Sequence, residues 1–152
     1  MYSETTGAVG NVQFKLDRYL NRLRLPDTDV DHTQLMNKDS LDMDDADRRQ
    51  VLRAVEQKLP DGVPIVISHG TDTMVDTGLL LQASLKELKV PVILTGAMVP
   101  LGFENSDALQ NLTESLIAAR LLPPGVYVVI HNQAFPVDRV RKDRDLGRFV
   151  WK

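Results

Sequence analysis

Hydrophobic positions along the chain fall into two kinds of run. Three are short, continuous and rich in Val and Ile: "VPIVISHG" (63–70), "VPVILTGAM" (90–98) and "GVYVVIHNQAF" (125–135). Each is led by Val-Pro or Gly and ends in small or polar residues, the pattern of strands buried on both faces of a parallel sheet. The second kind is periodic. Within "MVDTGLLLQASLKELK" (74–89), Met74, Leu79, Leu80, Leu81, Leu85 and Leu88 keep rough helical spacing. Within "SDALQNLTESLIAARLL" (106–122), Leu109, Leu112, Leu116 and Ile117 share one side, and Pro123-Pro124-Gly125 closes the run. Both suit crossover helices between parallel strands.

A further helix is predicted over "DDADRRQVLRAVEQKLPDG" (44–62), with aspartates in its first turn and Lys58 in its last, as the helix dipole favours. Before it, "HTQLMNKDSLDM" (32–43) predicts a short strand ending near Asn37. This alternation of strand and helix predicts an α/β fold: a Rossmann-like, open, mainly parallel sheet with helices on both faces. Function in such sheets gathers at the carboxyl ends of the strands.

Composition narrows the classes. The chain has 152 residues, enough for one domain with a core of its own. A formal net charge of -3 argues against nucleic acid as the main partner, because neutralising many phosphates takes a basic surplus. There is no cysteine, which removes disulfides, thiolate metal sites and a cysteine nucleophile, and a reducing, cytoplasmic setting is expected. No apolar run approaches the ~18 residues of a membrane span.

The polar residues after the first strand carry the candidate chemistry. In "SHGTDTM" (68–74) a glycine is followed by two hydroxyls flanking a carboxylate, where a strand's end meets a helix start. Helix capping accounts for one such residue, and a ligand-facing loop accounts for all three; both readings stand. His69 is either a base or a structural histidine. The basic run "DRVRKDRD" (138–145) reads as a solvated face with mixed ion pairs, and Lys142 matters only if the fold turns it inward. The aspartates at 42, 44, 45 and 47 lack the glycine and distal glutamate of a calcium loop and read as helix-start carboxylates. Neither GxSxG nor GxGxxG occurs, so a hydrolase elbow and a dinucleotide turn lack support.

Taken together, "DSLDM" (39–43), "HGTDTM" (69–74), "PVILTGAMVP" (91–100) and "ENSDALQNL" (104–112) resemble, in order and spacing, the asparaginase/glutaminase family of threonine amidohydrolases. "DRVRKDRDLGRF" (138–149) is similar to the segment that holds the family lysine. The resemblance covers nearly the whole chain and implies a single domain, 1–152, of the family's amino-terminal type. It places the family's second active-site threonine on Thr71, its aspartate on Asp72 and its lysine on Lys142, a relay that handles the proton of an attacking hydroxyl. It places the serine that binds the substrate α-carboxylate on Ser40, with Leu41 where the family has glutamine. Ala97 falls where a main-chain carbonyl meets the substrate amide, Asp72 also has the α-ammonium to hold, and Tyr2 falls on the loop tyrosine.

The implied activity is hydrolysis of L-asparagine to L-aspartate and ammonia through a threonine nucleophile, with no metal or organic cofactor and a homo-oligomer, a dimer, as the assembly. One departure stands out. Family members begin with an apolar strand ending in Thr-Gly-Gly-Thr, whose last threonine is the primary nucleophile, and no such run occurs here. "YSETTGAVGNVQF" (2–14) is similar instead to the mobile loop that follows it. The domain is therefore expected to start after that strand, leaving a neighbouring strand unpaired and the fold marginally stable or aggregation-prone. The alternative is a catalytically inactive, truncated or degenerate domain that binds small amino acids or a protein partner. A nucleotide-binding module keeps only the sheet pattern in its favour.

Overall fold

In the computed structural model, residues 12–152 are described, and they form an α/β layer built on four strands. Strands β1 (Ile65–Ser68), β2 (Pro91–Thr95) and β3 (Gly125–Ile130) run parallel, and β4 (Gln133–Pro136) returns antiparallel beside β3. The order across the sheet is β1-β2-β3-β4. Helix α3 (Met74–Ser84) crosses from β1 to β2 and α4 (Ala108–Leu121) from β2 to β3, the connections that parallel strands require. Helix α2 (Asp45–Lys58) packs on α3, and a short helix α1 (Val12–Leu20) lies upstream.

Strand periodicity explains why both faces are covered. Val92, Leu94, Val126, Val128 and Ile130 pack with Met74 and Leu81 of α3, together with Phe135 and Val137. Ile93 and Val129 alternate with them, are equally buried, and face the α4 side, where α4 contacts β2 and β3. Every residue of β2 is buried, as its unbroken apolar run demands. Burying each such side chain contributes about 1.5–3 kcal/mol before the entropy cost of ordering the chain.

Four local expectations are corrected. No strand forms over 33–37; that stretch is irregular and leads into a 3-10 turn, Ser40–Asp42, capped by the Asp39 carboxylate. From Val12 the loop-like segment is helical. Helix α3 stops at Ser84 rather than continuing to Lys89, because Leu85 turns extended, with its N–H bonded to the Leu81 carbonyl, and enters the core. The third apolar run splits into β3 and β4 at His131-Asn132, both at positive φ (51° and 60°), the backbone of a two-residue hairpin turn.

The capping expectation for α2 holds in detail. Asp44 caps the helix and Asp47, three residues on, returns the bond to the Asp44 N–H, while Lys38 pairs with Asp47 at 2.8 Å. Helix α4 differs: its fully buried residues are Asn111 and Ser115, and Ile117 is 53% exposed. A second small sheet, β5 (Val140–Asp143) with β6 (Arg148–Trp151), forms an antiparallel hairpin over the carboxyl-terminal segment.

Candidate active site

The loop from His69 to Thr73 leaves the carboxyl end of β1 and enters α3. Thr73 is the N-cap of α3, yet its side chain does not cap it; the hydroxyl instead donates to the Ser40 carbonyl at 2.9 Å. Capping therefore does not account for the hydroxyls of this loop. The bond holds the 3-10 turn of Ser40 against the loop, and Gly70 makes the approach possible: a Cβ there would stand 2.7 Å from both Ser40 Cβ and Oγ. Ser40 is 2% exposed as a result.

Thr71 and Asp72 face the β5–β6 hairpin. Lys142 Nζ donates to Thr71 Oγ1 at 2.8 Å and to Asp72 Oδ1 at 2.8 Å. The strand period accounts for this: buried Val140 anchors β5, and Lys142, two residues on, points to the same side while Arg141 points out. Thr71 is buried, and Lys142 and Asp72 keep 17% and 28% of their side-chain surface, so the pair sits at the rim of the fold with a path to solvent. Arg144, 66% exposed, adds a looser contact to Asp72 Oδ1 at 3.4 Å.

His69 is structural. Its Nδ1 lies 2.7 Å from the Gly70 carbonyl and its Nε2 2.8 Å from Thr77 Oγ1 in α3. A carbonyl only accepts, so Nδ1 carries the proton and Nε2 accepts from the Thr77 hydroxyl. Burial pushes the ring's pKa below the ordinary histidine value, partly offset by the Gly70 carbonyl. Both ring nitrogens are committed to holding the loop on α3.

Ala97 lies half-buried on the loop after β2. Next to it, Gly96 packs against the His69 carbonyl so closely that a Cβ would collide with that oxygen, and this joins the two strand-end loops. The structure thus brings Thr71, Asp72 and Lys142 into direct hydrogen bonding and sets Ser40 against their loop, with Ala97 on the adjoining one. Tyr2 lies outside the described residues. Sequence reading missed Asp107, Asn111 and His131, which hold the Ala97 loop; the signal was a pair of polar residues at i and i+4 at the start of α4.

Fold and site together define an α/β domain with a threonine–lysine–aspartate cluster at the carboxyl end of its parallel sheet. The family described as "Asparaginase, N-terminal" matches residues 1–147, and the chain belongs to it. An L-asparaginase of Thermococcus kodakarensis is 36% identical over 118 residues, 78% of this chain and 36% of that protein. A 60 kDa lysophospholipase of Mus musculus is 35% identical over 113 residues, 74% of this chain and 20% of that protein. The solved structure of the thermostable L-asparaginase from Thermococcus kodakarensis superposes with a TM-score of 0.88 at 29% identity, covering 99% of this chain and 47% of that one. The chain therefore spans between a fifth and a half of the length of these relatives. Among the described residues no helix is long and apolar enough to cross a membrane.

Proposed function

We propose that the chain is an L-asparaginase-type amidohydrolase that releases ammonia from L-asparagine, with Thr71, Asp72 and Lys142 as its proton-handling group. The observation that supports it most is the Lys142 amine lying 2.8 Å from both the Thr71 hydroxyl and the Asp72 carboxylate. An amine in that position, when neutral, takes the proton of an attacking hydroxyl and passes it to the leaving nitrogen, while the carboxylate stabilises the ammonium formed in between. The hydroxyl oxygen bonds to the amide carbon, the C–N bond breaks, and ammonia departs. Water then attacks the resulting ester, giving L-aspartate and restoring the hydroxyl. Thr71 stands in that relay as the hydroxyl bonded to Lys142, Ser40 and Asp72 bind the α-carboxylate and α-ammonium, and Ala97 offers its carbonyl to the amide. The chemistry uses no metal or organic cofactor.

A second reading, a domain that binds small amino acids without turning them over, needs only Ser40 and Asp72 against the α-carboxylate and α-ammonium and no attacking hydroxyl. Calorimetric titration with L-aspartate, run beside an ammonia assay with L-asparagine, separates the two. Heat with ammonia release supports the hydrolase; heat without ammonia supports the binding domain; neither signal contradicts both.

A further inference from the structure

We infer that Asp107 is a positioning residue that fixes the Gly96–Val99 loop, and with it the Ala97 main chain, from the amino terminus of α4. Its carboxylate accepts from the Val99 N–H at 2.9 Å on one oxygen and from the Met98 N–H at 3.1 Å on the other. The second oxygen also accepts from Asn111 Nδ2 at 2.9 Å and from His131 Nε2 at 2.6 Å. Asn111 Nδ2 reaches on to the Gly96 carbonyl at 2.8 Å, and its Oδ1 accepts from the His131 backbone N–H at 3.0 Å. The loop is thereby held on both sides of Ala97, by the carbonyl before it and the two N–H groups after it.

A broken local rule points the same way. Asp107 is the N-cap of α4 and aspartate is among the best caps, yet its side chain makes no cap bond. The Ser106 hydroxyl takes that place, accepting from the Ala108 N–H at 3.1 Å while donating to the Val99 carbonyl at 2.7 Å. A residue suited to stabilising its own helix is turned to the loop instead, which is where local consistency yields to a site. Partial burial works to raise the Asp107 pKa, but the Val99, Met98, His131 and Asn111 bonds outweigh it and keep the carboxylate below its ordinary value, hence ionised near neutrality. An ionised acceptor holds its donors about twice as strongly as a neutral one.

The role rests on the asparaginase reading, because the Ala97 carbonyl is the group being aimed. Asp107 touches no substrate and acts through the loop. The test measures amide hydrogen exchange at Met98 and Val99 by NMR and affinity for L-asparagine as the KM of ammonia release, in wild type, Asp107→Ala, Asp107→Asn and His131→Ala. Expected in Asp107→Ala is exchange at least ~10-fold faster at Met98 and Val99 with the His69 amide, bonded to the Thr95 carbonyl in the sheet, unchanged. Affinity should fall about tenfold, with smaller shifts of the same sign in Asp107→Asn and His131→Ala. If Asp107→Ala does not fold, the two milder variants decide. Unchanged exchange at Met98 and Val99 overturns the inference, as does faster exchange with affinity kept within about twofold. A wild type that releases no ammonia from L-asparagine contradicts the hydrolase reading instead, and exchange alone then decides whether Asp107 holds the loop.

Discussion

Lys142 Nζ stands 2.8 Å from Thr71 Oγ1 although 71 positions of chain separate them. The parallel sheet sets one partner at the end of β1, and a hairpin beyond the sheet supplies the other. Holding them together costs backbone order in both loops, and the structure meets that cost with buried contacts: Val140 and Phe149 on the hairpin, His69 on the loop and Ser40 packed against it. An ion pair alone at a partly exposed site contributes too little to fix such a geometry.

His69 makes stability depend on pH in a defined window. Its folded pKa is lowered from 6.5 by burial, so the unfolded chain binds the proton first as pH falls. The histidine's contribution is intact above its ordinary pKa and is lost as pH drops through 6.5 toward the lowered folded value. Thermal melts between about pH 7.5 and about pH 5 should show a falling midpoint in wild type and a flatter profile in His69→Gln, which starts lower. Equal slopes would place the titrating group elsewhere.

Two glycines should separate folding from binding. In Gly96→Ala the new methyl meets the His69 carbonyl, backbone that cannot step aside, and urea denaturation should show a loss of about 1–3 kcal/mol or more. In Gly70→Ala it meets the Ser40 side chain at 2.7 Å and displaces the 3-10 turn. L-aspartate affinity should fall more than stability does, as read by titrating ligand into both variants.

Arg144 competes for Asp72. It is 66% exposed and 3.4 Å away, so its contribution to stability is small. Arg144→Ala leaves the Asp72 oxygen to Lys142 and the ligand's α-ammonium; affinity for L-aspartate should rise by about two- to fivefold with the melting midpoint unchanged. Weaker binding in calorimetry would instead make Arg144 a ligand-binding cation.

Strand β1 pairs only with β2 among the described residues, and Val63 just before it is 59% exposed. An open apolar edge is a template for association. Val63→Lys should lower light scattering on concentration while shifting stability by no more than about 0.5 kcal/mol. Scattering that stays the same would locate the sticky surface elsewhere, for instance at exposed Ile117 and Leu121.

Apolar pattern alone made the parallel core legible: all three parallel strands, both crossover helices and the strand-end loop were readable because length and Val/Ile content separate strand from helix, though edge strand β1 is only half-buried. The carboxyl-terminal hairpin was partly legible. Val140 and Lys142 fall on one side of β5 and Arg141 on the other, but mixed charge hid that alternation as an ordinary solvated surface. Turn chemistry was missed at His131-Asn132, since a positive φ at histidine carries no strong sequence mark. The polar seam of Asp107, Asn111 and Ser115 was read through its leucine neighbours; hydropathy cannot show that a buried face is satisfied by hydrogen bonds rather than packing.

The most direct measurement is the rate of ammonia release from L-asparagine by wild type, Thr71→Ala and Lys142→Met, each checked for an unchanged melting profile. Removing a proton-transfer group costs about 10²–10⁴-fold, so release by wild type should fall at least ~100-fold in both variants. Release that persists at the wild-type rate in folded Thr71→Ala and Lys142→Met would contradict the assignment of this cluster as the site of chemistry.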